Sequence, residues 1–167
     1  MKNTINKFFE FPETINEVSA RFVALGVLTL SSISLFYINS QNNLSWLLIT
    51  ILMIGFLARV SSGPKWSFLA IFVTKLLVPN LPVKEKIVPG PPKRFAQGIG
   101  LVVSLLILFF WIINLPIISS IFLIILISFA SLESFLGFCF GCKVFGYLMR
   151  TGLIPKEVCE KCSNYSY

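Results

Sequence analysis

Two dithiol units stand at the carboxy-terminal end of the chain: Cys139-Phe140-Gly141-Cys142 and, after sixteen intervening residues, Cys159-Glu160-Lys161-Cys162. They contain all four of its cysteines. A C-x-x-C spacing sets two sulfurs within a turn of each other, so each pair can close a disulfide or grip a soft metal ion. The whole array, C-x2-C-x16-C-x2-C, also satisfies the template of a four-thiolate zinc site. Two chemistries are therefore open. In the first, Cys142 attacks, Cys139 resolves, and Cys159 and Cys162 relay electrons or sulfur to a soluble thioredoxin-like or sulfur-carrier protein. In the second, Cys139, Cys142, Cys159 and Cys162 hold zinc and fasten a polar tail without any enzymatic role. The position of the first pair, at the mouth of a membrane helix among Phe138, Phe140 and Phe145, favours the relay.

Few other groups can take part. The chain has no His and no Asp, which removes Ser-His-Asp and Cys-His catalysis and every histidine-bearing metal site. No GxGxxG or P-loop is present, and Gly98-Ile99-Gly100 reads as an aid to close helix packing. Glu133 is the one acid well inside a hydrophobic run, Glu17 standing at the start of the first. A carboxylate there must snorkel, take a proton or pair with a cation, and Arg59 and Arg94 are the nearest cations by depth. The structural reading of Glu133 is an ion pair, and the chemical one is a proton acceptor for a thiol. A short helix over residues 143–151 would place Cys142 at its amino end beside Lys143, where the helix dipole and the ammonium favour thiolate.

The elements that must position these groups are membrane spans. With 56% hydrophobic and 13% charged residues, and a mean hydropathy of +0.85, the chain is too apolar for a water-facing surface. Runs long enough to cross a ~30 Å hydrocarbon core cover about residues 15–38, 44–60, 95–113 and 117–138. The first is expected to start on a capping box of Thr14 and Glu17. Asn114-Leu115-Pro116 folds the last two spans into a hairpin. Residues 61–94 form a loop in which Gly63-Pro64 breaks the second span, and residues 66–78 are apolar but too short to cross, so they read as a re-entrant or interfacial helix anchored by Trp66 and Lys75. The fold expected is all-α: a four-helix integral membrane bundle over residues 15–138, preceded by a segment of residues 1–14 and followed by a Cys-rich tail of residues 139–167. The amino terminus has no h-region with a cleavage site, so the first span is expected to be retained.

Charge gives these spans a direction. Apart from Arg59, at the inner end of the second span, the fourteen Lys and Arg residues lie in the two tails, near the start of the first span, and in the loop of residues 61–94, while residues 39–43 and 114–116 carry none. The positive-inside rule then places both termini, the central loop and all four sulfurs on the cytoplasmic face. The net charge of +7 is explained by insertion and by contact with anionic headgroups of the lipid bilayer. A nucleic-acid partner is not expected, because the seventeen phenylalanines lie mostly in or beside spans rather than on a soluble basic face. Transport through the bundle has little support, since Glu133 and Arg59 are its only intramembrane charges.

Three segments, Gly63-Pro-Lys-Trp-Ser67, Pro89 to Gly100, and Leu132 to Pro155, make the sequence resemble a bacterial family of small integral membrane proteins catalogued as domain of unknown function 4395. The resemblance runs from about Arg59 to Cys162; where Ser-Pro is expected after Gly-Pro, this chain has Ser67-Phe68. It implies a multi-pass protein of the bacterial cytoplasmic membrane and brings no activity. The layout is also similar to four-helix membrane thiol oxidoreductases that pass electrons to quinone, but those act on the oxidising side of the membrane.

Overall fold

The computed structural model describes residues 11–38, 43–63, 67–80 and 85–155. Trp66, Cys159 and Cys162 lie outside the described residues. Among the described residues the regular structure is helical apart from one short pairing of two strands. Four of its helices are long and apolar enough to cross a membrane: α1 (Glu17–Tyr37), α2 (Asn43–Ser62), α4 (Gly90–Ile112) and α5 (Pro116–Leu136). Between α2 and α4 lies α3 (Phe68–Phe72), and after α5 comes α6 (Phe140–Arg150).

Backbone hydrogen bonds decide where the first span begins. Thr14–Asn16 forms a strand, β1, paired antiparallel with β2 (Ile87–Pro89), Thr14 standing opposite Pro89. The ladder is extended by Glu17 N–H to the Lys86 carbonyl and by Gly90 N–H to the Glu13 carbonyl, both at 2.7 Å. The expected capping box is therefore not used. Thr14 is committed to the strand, the cap falls to Asn16, whose side chain accepts from Val18 N–H at 3.0 Å, and Glu17 pairs with Lys86 at 2.7 Å. Because β1 leads into α1 and β2 into α4, both helices start at the same face of the bundle.

The four long helices pack in a ring, α1 against α5, α5 against α4, α4 against α2 and α2 against α1. Small residues line the seams. Ser31, Ser34, Ser45, Ser104 and Ser119 are buried, and all but Ser31 donate to backbone carbonyls, as Ser104 Oγ does to Gly100 O at 2.7 Å. Large apolar side chains point outward instead, Ile117 with 75% and Leu136 with 73% of their surface open. That inside-out distribution is what a hydrocarbon solvent selects, since lipid offers no penalty to exposed Ile or Leu while close helix packing rewards small residues.

The break at Gly63, whose φ of +67° is left-handed, sends the chain into α3, a π-helical turn (Val73–Leu77) and a 3-10 turn (Val78–Asn80). The short apolar segment packs on the bundle. Ala70 and Val73 are buried while Phe68, Phe72 and Leu76 face outward, and Leu69 fills the space where a Gly26 side chain would stand. Gly26 is about 14 Å along α1 from Glu17 at 1.5 Å per residue, so the segment packs well along the first helix of the bundle.

At the other end of the chain, α6 buries Gly141, Cys142, Phe145 and Met149 and lies along α4. Phe95 and Phe145 meet with ring centroids 5.7 Å apart. A Cβ on Gly141 would come within 2.6 Å of Ala96 Cα and Cβ, whereas a Cβ on Gly98 would meet nothing within 4 Å. Of the two neighbouring glycines in Gly98-Ile-Gly100, only Gly100 makes a close approach, to the Phe56 ring. Gly141→Val is therefore expected to lower stability by about 1–3 kcal/mol through overpacking. Gly98→Ala is expected to leave it unchanged or raise it by up to ~1 kcal/mol through helix propensity. Thermal unfolding of the two variants in detergent checks both.

Candidate functional site

The thiol pair is set by the end of one helix and the start of the next. Helix α5 stops at Gly137, left-handed at φ +67°. Its N–H returns to Glu133 O and that of Phe138 to Leu132 O, both at 3.1 Å, a glycine-terminated cap that only a residue without Cβ adopts cheaply. Cys139 is then extended (φ −92°, ψ 101°) and is the N-cap of α6, its Sγ accepting from Cys142 N–H at 3.3 Å. The helix begins at Phe140, three residues before the start expected from its charged face, because Gly141 lets its first turn settle on Ala96. The N-cap position accordingly belongs to Cys139 and not to Cys142. Cys139 and Cys142 are joined as a disulfide, with Cα atoms 5.2 Å apart. Cys139 keeps 8% of its surface open and Cys142 2%.

One turn back along α5, Glu133 faces Lys93 of α4 at 2.6 Å. This corrects the expected pairing with Arg59 or Arg94. Lys93 and Arg94 are adjacent in sequence and so point about 100° apart on their helix. The packing turns Lys93 inward, to 7% side-chain exposure, and leaves Arg94 outside, where its Nε donates to Val60 O at the end of α2 at 2.9 Å. Arg21 of α1 does the same for α5, donating to Ser134 O at 3.2 Å and Phe135 O at 2.6 Å. Arg59 is the remaining intramembrane cation. It is 4% exposed, lies over the Phe56 ring at 4.4 Å, senses Glu133 electrostatically, and has a buried Nε–H with no acceptor.

These groups share one cavity of about 290 Å³. Cys139, Glu133, Lys93, Arg59 and Gln97 are among its polar lining, and Phe56, Phe129, Val27, Val103 and Leu126 among its apolar walls. Gln97 Oε1 is, like Arg59 Nε, buried without a hydrogen-bond partner. The family model described as domain of unknown function (DUF4395) matches residues 15–150. The chain belongs to the DUF4395 family. No curated protein and no solved structure matches it.

The part of the chain matched as DUF4395 holds Lys93, Arg59, Gln97 and Glu133 of the cavity and the Cys139–Cys142 pair, and it stops short of Cys159 and Cys162. A four-sulfur arrangement requires that second pair, which falls outside the described residues. Among the described residues no group of three or more His, Cys, Asp or Glu is placed to hold a metal ion. Of the residues expected from sequence, the structure thus brings together Cys139, Cys142 and Glu133. Lys143 lies close by, 5.7 Å from the Phe138 ring centroid. Gln97 and Lys93 escaped the sequence reading. The available signal was an uncharged amide within a span and a lysine at the edge of one, both unusual in hydrocarbon.

Removing one member of a buried ion pair strands the other, which costs about 3–5 kcal/mol, while replacing both with apolar groups is often neutral. Glu133→Gln is expected to cost about 3 kcal/mol, the low end of that range, because Glu133 keeps 24% exposure. The double change Lys93→Met with Glu133→Leu is expected to recover most of that loss. Unfolding midpoints of the single and double variants in detergent check the pair.

Proposed function

We propose that this DUF4395 member is a thiol-disulfide relay protein of the bacterial cytoplasmic membrane, with both termini and its thiols on the cytoplasmic face. The observation that carries the reading is the placement of Cys139: N-cap of α6, hydrogen-bonded by Cys142 N–H, disulfide-linked to Cys142, and lining the cavity. A disulfide in a reducing compartment does not serve as a durable staple; one that forms there is transient and catalytic.

Of the two sulfurs we take Cys139 as the one attacked in the oxidised state, because it is the less buried and it, unlike Cys142, lines the cavity. A thiolate of the tail pair, Cys159 or Cys162, attacks Cys139 Sγ, and Cys142 leaves as thiolate. The second tail thiol then attacks the mixed disulfide and releases Cys139. Two electrons and two protons pass from the tail dithiol to the membrane pair, and the tail disulfide is reduced in turn by a dithiol of a soluble thioredoxin-like partner. Once released, the Cys139 thiolate is stabilised by the Cys142 amide and the amino end of α6. The roles expected from spacing are therefore exchanged: Cys139 forms the mixed disulfide, while Cys142 is the leaving thiolate on reduction and the attacking one when the pair re-forms. Glu133 is held by Lys93, so we assign it to positioning of the helix end rather than to proton transfer.

Equilibration of the purified chain in glutathione redox buffers, followed by alkylation and mass spectrometry, is expected to give a two-electron couple that disappears in Cys139→Ser and in Cys142→Ser. Cys142→Ser is expected to accumulate a mixed disulfide on Cys139 and Cys139→Ser to accumulate none on Cys142. One zinc per chain in the reduced protein, lost on substitution of any cysteine, would overturn the relay. A membrane-impermeant maleimide is expected to spare the thiols of reduced intact cells and to label them after permeabilisation; labelling before permeabilisation would overturn the sidedness.

A further inference from the structure

We propose that the cavity beside Cys139 binds a membrane quinone, with the ring at Arg59 and Gln97, and that this quinone accepts the electrons of the Cys139–Cys142 dithiol. The inference rests on the relay reading and names the acceptor that the relay requires. Three independent features point to this ligand class.

The first is an unmet pair of hydrogen-bonding groups. Arg59 Nε–H is a buried donor without an acceptor, and Gln97 Oε1 a buried acceptor without a donor. Both residues line the cavity. Leaving such groups unpaired is costly, most of all for a charged one. The anion that would ordinarily satisfy Arg59 is engaged elsewhere, since Glu133 is bound to Lys93 at 2.6 Å. A quinone carbonyl accepts from the guanidinium, and the hydroxyl of the hydroquinone donates to the amide, so the two orphan groups match the two redox forms of one ligand.

The second is shape. At about 290 Å³, the cavity is at the small end of the range for small-molecule sites and accommodates one ring system. It continues inward between α1, α4 and α5 to Val27, Val103 and Leu126. Val27 is ten residues beyond Glu17, about 15 Å along α1, which is deep in the hydrocarbon. The polar groups are at the shallow end and the apolar walls at the deep end. That polarity suits a ring bearing an alkyl tail, and Phe56 and Phe129 offer aromatic faces beside it.

The third is the redox partner on the wall. Cys139 lines the same cavity, so a bound ring is adjacent to the sulfur that the relay uses. The step balances as two thiols plus quinone giving one disulfide plus hydroquinone. The sulfur–sulfur bond forms between Cys139 and Cys142, the two electrons enter the ring, and the two thiol protons end on its oxygens.

The test uses the full chain in lipid nanodiscs, with decylubiquinone as substrate and a photoactivatable azidoquinone as binding probe. Fully reduced protein is expected to convert two quinones per chain while losing its four thiols, the Cys159→Ser, Cys162→Ser double variant to convert one while losing two, and the azidoquinone to label peptides of α2, α4 and α5. Arg59→Ala and Gln97→Leu are each expected to raise the half-saturating quinone concentration roughly tenfold or more, with the dithiol couple in glutathione buffer unchanged. Arg59→Lys, which retains the buried cation, is expected to lose less and carries the test with Gln97→Leu if Arg59→Ala does not accumulate as folded protein. An intact dithiol couple with neither quinone reduction nor labelling would overturn the proposal and leave the relay standing. Arg59-dependent binding of oleate without quinone reduction would overturn it in favour of an acidic headgroup. Absence of any dithiol couple in the unsubstituted chain would overturn the relay and the acceptor role together.

Discussion

A helix that ends inside or at the edge of a bilayer leaves four carbonyls without partners, and hydrocarbon cannot supply the hydrogen bonds that water would. The organisation of one end of this bundle follows from that constraint. Two helices, α2 and α5, end there, and two, α1 and α4, begin there. Each beginning helix lends an arginine to an ending one: Arg21 donates to Ser134 O and Phe135 O, and Arg94 to Val60 O. The same cations complement the negative ends of the helix dipoles. The β1–β2 ladder ties the two beginning helices together just outside, so the four termini form one polar layer.

The Lys93–Glu133 pair lies within this layer, and its consequence is electrostatic as much as mechanical. A buried pair seldom adds net stability, because desolvation offsets most of its attraction. What it does here is fix the distribution of charge. Glu133 is taken up by Lys93, leaving Arg59 on the cavity wall with a buried Nε–H that has no acceptor. Just beyond Glu133, the left-handed Gly137 turns the chain so that Cys139 caps α6 on the rim of the same cavity. Thiol, cation and amide are thus brought to one place by the way in which α5 ends.

Much of the architecture was legible along the chain. The four spans, the Asn114-Leu115-Pro116 hairpin and the short apolar segment follow from run length and from proline and glycine placement, which are local properties. Their ends shifted by up to five residues, most at α4, which begins at Gly90 rather than residue 95, since Pro91 and Pro92 fit the first turn of a helix. The site was legible in part. Cys139, Cys142 and Glu133 announced themselves by type and spacing, but Gln97 and Lys93 did not, as nothing local marks which face of α4 turns inward.

By itself, then, the sequence determined that the chain is a four-span helical membrane protein, which groups can react, and that they gather near one end, because hydrophobic run length and charge distribution act residue by residue. Only the tertiary structure decided that Glu133 takes Lys93 and not Arg59 or Arg94, that Cys139 rather than Cys142 caps α6, and that Arg59 lines the cavity. Those outcomes depend on the rotation of each helix about its axis and on the close approach of Gly141 to Ala96. Packing across the bundle sets both, and no single segment encodes either.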